Sequence, residues 1–328
     1  MSSPSLSVVM PTYNAAEYIE RSLESILRQS FKDYELIIID DGSTDGTIEL
    51  IEKQEDDRIY LIQREEESGI TSALNRGIDE ARGQYVARHD ADDWSSPDRF
   101  DKQITYLETH PNVALLGTGA YLVDEDGKQI AKRRVLSNPE VADLIDHNEF
   151  IHGSVMMRRE PLVDLGGYDE RFLTAEDYDL WLRLADQYSV ANIDEPLYHF
   201  RQHDESIYGS NLETLKLYHV LATRRVEDGF GEELYAAITA DDPRKAIEMF
   251  TPEERIWFHT ELARESIRYG NLNSGREHIR EAIRLNPTDL ILPAMLLLTY
   301  TTPGIASVVV DAYRKMINAK ILVDNRSG

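Results

Sequence analysis

The sequence predicts an α/β fold, a mostly parallel sheet covered by helices on both faces, followed by a helical region. Three observations predict it. Short apolar runs alternate with helical spacings over the first ninety residues, polar clusters follow several of those runs, and strand signals fade beyond about Tyr208. Alternation with short links calls for parallel strands joined by crossover helices.

Leu6 to Met10 is an apolar run closed by Pro11, the pattern of a buried strand. Ile19, Leu23, Ile26 and Leu27 then recur at helical spacing. Glu35 to Ile39 reads as a second buried strand, ending at Asp40-Asp41-Gly42-Ser43, where Ser43 or Thr44 can cap the next helix. A third strand fits Ile59 to Ile62, a helix fits Thr71 to Ala81, and a fourth strand fits Tyr85 to Arg88. From Val113 to Val135 the pattern is a hairpin-like excursion turning at Asp124-Glu125-Asp126-Gly127. Ser154 to Met157 returns as a strand, Tyr178 to Leu184 starts a helix, and Pro196 to Phe200 reads as a final short strand. Helical periodicity then dominates Leu212 to Val226, Glu253 to Arg268, Ser274 to Leu285 and Ile305 to Ile317. Ala282 to Pro287 resembles the close of a tetratricopeptide repeat, but a stack needs neighbours, so a helical cap is the simpler reading.

A length of 328 residues leads us to expect two domains, or one with an appendage. The formal net charge of −25 argues against nucleic acid as a partner, because phosphates would be repelled. A phosphate-bearing substrate then needs a local positive charge, such as a metal ion. Dispersed carboxylates also suit a salt-loving source, with an ordinary acidic enzyme as the alternative. The chain has no cysteine, which excludes disulfides and thiolate metal sites. Met1 to Ser7 has no signal-peptide pattern, and the run Leu290 to Leu298 is too short to span a bilayer, so a cytoplasmic protein is expected.

In such sheets ligands bind beyond the carboxyl ends of the strands. Pro11-Thr12-Tyr13-Asn14, Asp40-Asp41 and Asp90-Ala91-Asp92-Asp93 follow strands one, two and four, and therefore meet at one edge. Three carboxylates in four residues repel one another unless a cation or hydrogen-bond donors stabilise them. Oxygen ligands so arranged suit Mg²⁺ or Mn²⁺ with positions open for a diphosphate. The same segment also serves as an acidic turn before the helix from Asp98. Tyr13 can stack on a nucleobase and an aspartate can accept from a base N–H, although both clusters also suit capped helix starts. Glu176-Asp177 could take a proton from an acceptor hydroxyl, or merely favour a helix N-terminus. His199 and His203 flank Arg201; a histidine could complete a metal site and the arginine could hold a phosphate, although a plain surface histidine is the commoner outcome. Glycine-rich dinucleotide and P-loop motifs do not follow any strand.

Taken together, these clusters resemble the family 2 glycosyltransferases of the GT-A fold. The likeness runs from about Ser7 to Ser206, through Ser7–Asn14, Asp40–Asp45, Ala73–Ile78, Ala87–Asp93, Pro97–Arg99, Gly166–Asp169 and Glu176–Arg183, with Arg201, His203 and Ser206 fitting the end of the pattern. The resemblance implies a catalytic domain at 1–208 and a helical region at 209–328. It implies Pro11, Tyr13 and Asp41 at a nucleobase, with Asp40 supporting them. Asp90 and Asp92 would bind ribose and the divalent metal, and His203 would reach the metal or diphosphate. Asn75 and Arg76 would contact the donor, and His152-Gly153 would lie on the acceptor side. Asp177 would be the general base, with Glu176 beside it, in an inverting single displacement from a nucleoside-diphosphate-sugar to a glycan or lipid-linked hydroxyl.

Two other functions fit parts of the pattern. A glycoside hydrolase also uses paired carboxylates, but needs neither nucleotide pocket nor metal. A catalytically inactive nucleotide-sugar scaffold with a helical interaction tail is the non-enzymatic alternative. The helical region could dock a partner, a second copy or a membrane surface, the last through Leu290–Leu298 and Val308–Ile317, which are more simply helical core.

Overall fold

The computed structural model describes residues 3–65, 68–202, 212–240, 243–268, 270–289 and 291–300. Its contacts divide the chain into two compact units, Met1–Asp204 and Glu205–Gly328.

The first unit opens with β1 (Leu6–Thr12), α1 (Ile19–Leu27), β2 (Tyr34–Asp40), α2 (Thr47–Glu52), β3 (Ile59–Gln63), α3 (Ile70–Glu80) and β4 (Tyr85–Arg88). These four strands are parallel, in the spatial order β3-β2-β1-β4. Every residue of β2 is buried, so helices must cover both faces, and the run Leu-Ile-Ile-Ile supplies apolar groups to each. Edge strand β3 is only partly covered, with its residues half-buried or exposed. One face of α1 buries Ile19, Leu23 and Ile26, the i, i+4, i+7 stripe that fixes it on the sheet. Buried Glu35 accepts from the Ser7 hydroxyl at 2.6 Å and from the Arg82 amide at 2.9 Å, so its charge is compensated.

The sheet continues through β5 (Trp94–Ser95), α4 (Arg99–Thr109), β6 (Val113–Val123), β7 (Gln129–Arg133) and α5 (Val141–Asp146). A 3₁₀ turn at His152–Ser154 leads to β8 (Met156–Arg158), α6 (Arg159–Asp164), α7 (Glu176–Gln187) and β9 (Ser189–Arg201). The full order is β3-β2-β1-β4-β8-β6-β9-β5, with β7 paired to β6. β8 runs antiparallel between β4 and β6, which makes the sheet mixed.

Two expectations are corrected here. The final strand is not confined to Pro196–Phe200; it begins at Ser189 and pairs in parallel with β6 along most of its length. Val113–Val123 is likewise more than a hairpin arm, since β6 is an interior strand with most of its residues buried.

The second unit contains α8 (Leu212–Asp228), α9 (Glu232–Thr239), α10 (Pro243–Glu248), α11 (Pro252–Arg268), α12 (Leu272–Leu285) and α13 (Ile291–Leu298). Gly270 turns the α11–α12 hairpin at φ +79°, and the Asn271 side chain caps α12 by accepting from the Ser274 amide. Ala263, Ile267, Ile279, Ala282, Leu292 and Met295 form its core, so part of the apolar run near residue 291 is helical packing. No helix among the described residues is long and apolar enough to cross a membrane. The expected helix at Ile305–Ile317 and the segment Val308–Ile317 lie outside the described residues.

Candidate active site

The parallel register sets Thr12 opposite Asp40 and Asp40 opposite Gln63, so β1 and β2 end level with one another. The chain beyond β1 turns at Asn14, held at φ +46°, a conformation asparagine tolerates better than most residues. Its amide donates to the Ser43 hydroxyl and its side-chain oxygen accepts from the Thr44 amide, each at 2.9 Å. Asp40 is fully buried and accepts from the Gly42 and Ser43 amides and the Ser43 hydroxyl. Asp41 accepts from the Ser68 and Gly69 amides at 3.0 and 2.9 Å, with Arg64 at 3.4 Å. Both carboxylates therefore organise loops at this edge. Beside them Tyr13 is 49% exposed, Pro11 is half-buried and Thr12 is buried.

Asn75 and Arg76 are differently engaged. The Asn75 carboxamide donates to the Tyr168 carbonyl at 2.8 Å and accepts from the Tyr168 amide at 2.9 Å, clamping α3 to that loop. Arg76 pairs along its own helix with Glu80 at 2.6 Å, half-exposed.

The Asp90–Asp93 segment leaves β4 beside them. Asp90 forms an ion pair with Arg88, while its amide donates to the Tyr198 hydroxyl at 3.0 Å. Burial raises the proton affinity of Asp90, and the Arg88 charge opposes that rise. Asp93 points inward, accepts from the Arg201 amide at 2.7 Å, and is held well above the usual carboxylate range by burial and its aspartate neighbours. Ala91 is buried and Asp92 half-buried. Gly153, in the 3₁₀ turn, backs directly onto this segment: a Cβ there would lie 2.5 Å from an Asp90 carboxylate oxygen.

Glu176 and Asp177 open α7, whose buried face includes Leu180, Trp181 and Leu184. Burial, then the Asp177 charge, push the Glu176 carboxyl up to about 8. Burial also raises Asp177, but the Tyr178 amide at 2.7 Å and the Asn148 carboxamide at 3.2 Å donate to it and oppose the rise. His152 shares a 2.9 Å hydrogen bond with the Tyr168 hydroxyl and approaches Glu176 at 3.9 Å. Burial, then the Arg88 charge, hold it well below the usual histidine range, so the ring is neutral. Arg88, 2% exposed, acts electrostatically on Asp90, His152, Glu176 and Asp177 alike.

The structure thus brings together Asp90, His152, Gly153, Glu176 and Asp177 around one buried guanidinium. Sequence reasoning missed Arg88, Tyr168, Tyr198 and Asn148 as members of this cluster. Arg88 carried a usable signal, since a charge closing an otherwise apolar strand must find a partner. His203 lies outside the described residues, and among the described residues no group of three or more His, Cys, Asp or Glu could hold a metal by itself. Two other sequence readings are corrected. His199 lies stacked between Trp94 and Tyr121, at 4.8 and 5.0 Å, so it packs rather than ligates. Arg201 is 5% exposed and bonded to main-chain carbonyls rather than open to a phosphate.

A mixed α/β sheet with acidic clusters at the carboxyl edge of its parallel strands is the architecture of the GT-A fold. Residues 7–166 match the family described as Glycosyl transferase family 2. The chain is 39% identical over 211 residues to "Putative glycosyltransferase EpsE" of Bacillus subtilis (strain 168), covering 62% of this chain and 76% of that relative. Among solved structures, S. aureus TarS 1-349 in complex with UDP-GlcNAc aligns at TM-score 0.59 and 17% identity, covering 95% of this chain and 92% of that one. The mannosyltransferase PcManGT from Pyrobaculum calidifontis, in complex with GDP-Man and Mn2+, aligns at TM-score 0.54 and 19% identity, covering 96% and 88%. These two structures share the fold. The chain belongs to glycosyltransferase family 2 and is a glycosyltransferase.

Proposed function

We propose that the chain moves a sugar from a nucleoside-diphosphate-sugar to a hydroxyl of a glycan or lipid-linked acceptor, inverting the anomeric carbon. The observation that carries this reading is the meeting of the Asp90 segment with Glu176 and Asp177 about Arg88 and His152. Donors of this class are bound by the UDP-GlcNAc and GDP-Man complexes that share the fold.

Asp177 is the general base in this reading. Glu176, raised to about 8, is mostly protonated near neutral pH, whereas Asp177 keeps two N–H donors that favour its anion. The acceptor oxygen, losing its proton to Asp177, attacks the anomeric carbon as the bond to the diphosphate breaks. Tyr13 stacks on the nucleobase from its exposed position, with Asp41 and Pro11 beside it, and Asp40 and Asn14 hold the loops that carry them. His152 and Gly153 face the acceptor.

The donor set suits Mg²⁺ or Mn²⁺. Half-buried Asp92 offers a hard carboxylate oxygen of the kind these cations take, and such a cation commonly draws further ligands from substrate phosphates. Asp92 would hold it, with Asp90 and His203 as further candidates. When bound, the cation neutralises charge developing on the departing diphosphate. The helical region, residues 209–328, is proposed as a docking element for a partner, a second copy or the cytoplasmic membrane face.

The test uses two variants made separately. Asp177→Asn should lower the rate of sugar transfer by about 10²-fold or more while nucleoside diphosphate still binds. Asp92→Ala should abolish the chelator-sensitive part of that binding. Retention of more than about a tenth of wild-type transfer by both variants would end the assignment.

A further inference from the structure

The last strand ends in a residue that touches the acidic segment twice. The Arg201 amide donates to the Asp93 carboxylate at 2.7 Å, and its Nε donates to the Asp92 carbonyl at 2.9 Å. One residue thereby holds both the Asp92 carbonyl and the Asp93 side chain. The other end of the same guanidinium donates from Nη1 to the Asp124 carbonyl at 3.3 Å and to the Glu125 carbonyl, at the turn between β6 and β7. Its central carbon lies over the Tyr18 ring, 4.4 Å from the centroid, and 5.4 Å from that of Trp94. The adjoining Gln202 amide donates to the Val123 carbonyl at 2.9 Å, so the strand end is anchored where the clamp begins.

We infer that Arg201 is a positioning residue, a buried fork that aims the Asp92 carboxylate at the donor's diphosphate by tying the Asp92 backbone to the β6–β7 turn. The inference rests on the reading of Asp92 as the carboxylate that faces the diphosphate. Geometry makes an arginine necessary. Only a planar guanidinium offers N–H groups in fixed, divergent directions while stacking its face on an aromatic ring; a lysine ammonium can replace one bond but not the fork. With 5% exposure and its Nε and Nη1 on carbonyl oxygens, Arg201 acts on the donor through Asp92 rather than by contact. Loss of such a supporting group typically weakens metal affinity by about 10–100-fold.

The experiment is calorimetry on the full chain with UDP and with GDP as probes, each with Mn²⁺ and with chelator. Arg201→Gln and Arg201→Lys are compared with wild type and Asp92→Ala, and thermal midpoints are recorded alongside. The expected result is a loss of about tenfold or more in Mn²⁺-dependent nucleotide affinity for Arg201→Gln. Metal-free affinity should change by less than about twofold, and Arg201→Lys should recover part of the loss. Tyr18→Leu, which removes the ring beneath the guanidinium, should move the same quantity in the same direction and serves if Arg201→Gln is insoluble. Equal losses with and without Mn²⁺ would make Arg201 a general fold contact and overturn the inference, as would no loss at all. Wild-type binding that ignores Mn²⁺, or an Asp92→Ala variant that binds as wild type does, would instead remove the underlying reading of Asp92.

Discussion

Glu176 and Asp177 are chain neighbours with different surroundings, and the difference makes a pH prediction. Glu176 is 8% exposed and its carboxyl is pushed up to about 8, chiefly by burial. A carboxyl whose folded value exceeds its unfolded value of 4.5 favours the fold while protonated, and that contribution is lost as pH rises towards 8. Glu176→Gln keeps the neutral shape and removes the penalty. Thermal midpoints of wild type and variant should lie close together at pH 5 and separate in favour of the variant at pH 9. Midpoints that stay parallel across that range would mean Glu176 is ionised without strain. At this scale the sequence revealed the acids better than their partners. Acid spacing is visible along the chain, whereas Arg88 and His152 reach Glu176 only because β4 and the 3₁₀ turn meet beside the start of α7. Arg201 failed for a related reason: its charge suggested a phosphate, and only the fold reveals that carbonyl oxygens already surround it.

At the scale of elements, legibility followed periodicity. α1 and β1–β4 lie close to the predicted ranges because each carries an uninterrupted apolar stripe or run, bounded by Pro11, Asp40 or Gly83. β9 was truncated in the reading because Asn192, Asp194 and Glu195 interrupt it. Each finds a partner in the fold: the Asn192 carboxamide donates to the Leu136 carbonyl, Asp194 accepts from Arg134 and Glu195 accepts from Lys102. Tertiary pairing with β6, not local propensity, makes that segment a strand. The helices α5, α6, α9 and α10 are six to eight residues long, too short to show a period. The α1 stripe makes a stability prediction. Leu23 is fully buried in the main core, so Leu23→Ala removes packed methyl groups and opens a cavity that the sheet cannot collapse. The loss should be about 2–5 kcal/mol in urea denaturation followed by tryptophan fluorescence. A loss below about 1 kcal/mol would show that α1 packs loosely.

The whole molecule carries 60 acidic against 35 basic side chains, and the imbalance decides how salt acts on it. Salt has two opposing effects. It weakens exposed ion pairs such as Arg28–Glu24 and Arg76–Glu80, each worth only about 0–1 kcal/mol. It also screens repulsion among the carboxylates left over once every cation has a partner, and a net charge of −25 leaves many. Screening length falls from about 30 Å at 0.01 M to about 3 Å at 1 M salt, so repulsion summed over the surface shrinks across that range. The buried pairs Arg183–Asp179 and Lys216–Glu261 lie out of reach of that screening. The repulsive term should therefore win, and the thermal midpoint should climb as NaCl rises from about 0.01 to about 1 M. An equimolar KCl series should give the same curve, because charge density rather than a particular ion is responsible. A midpoint that falls with either salt would mean that surface pairing, not excess negative charge, governs the stability of this chain.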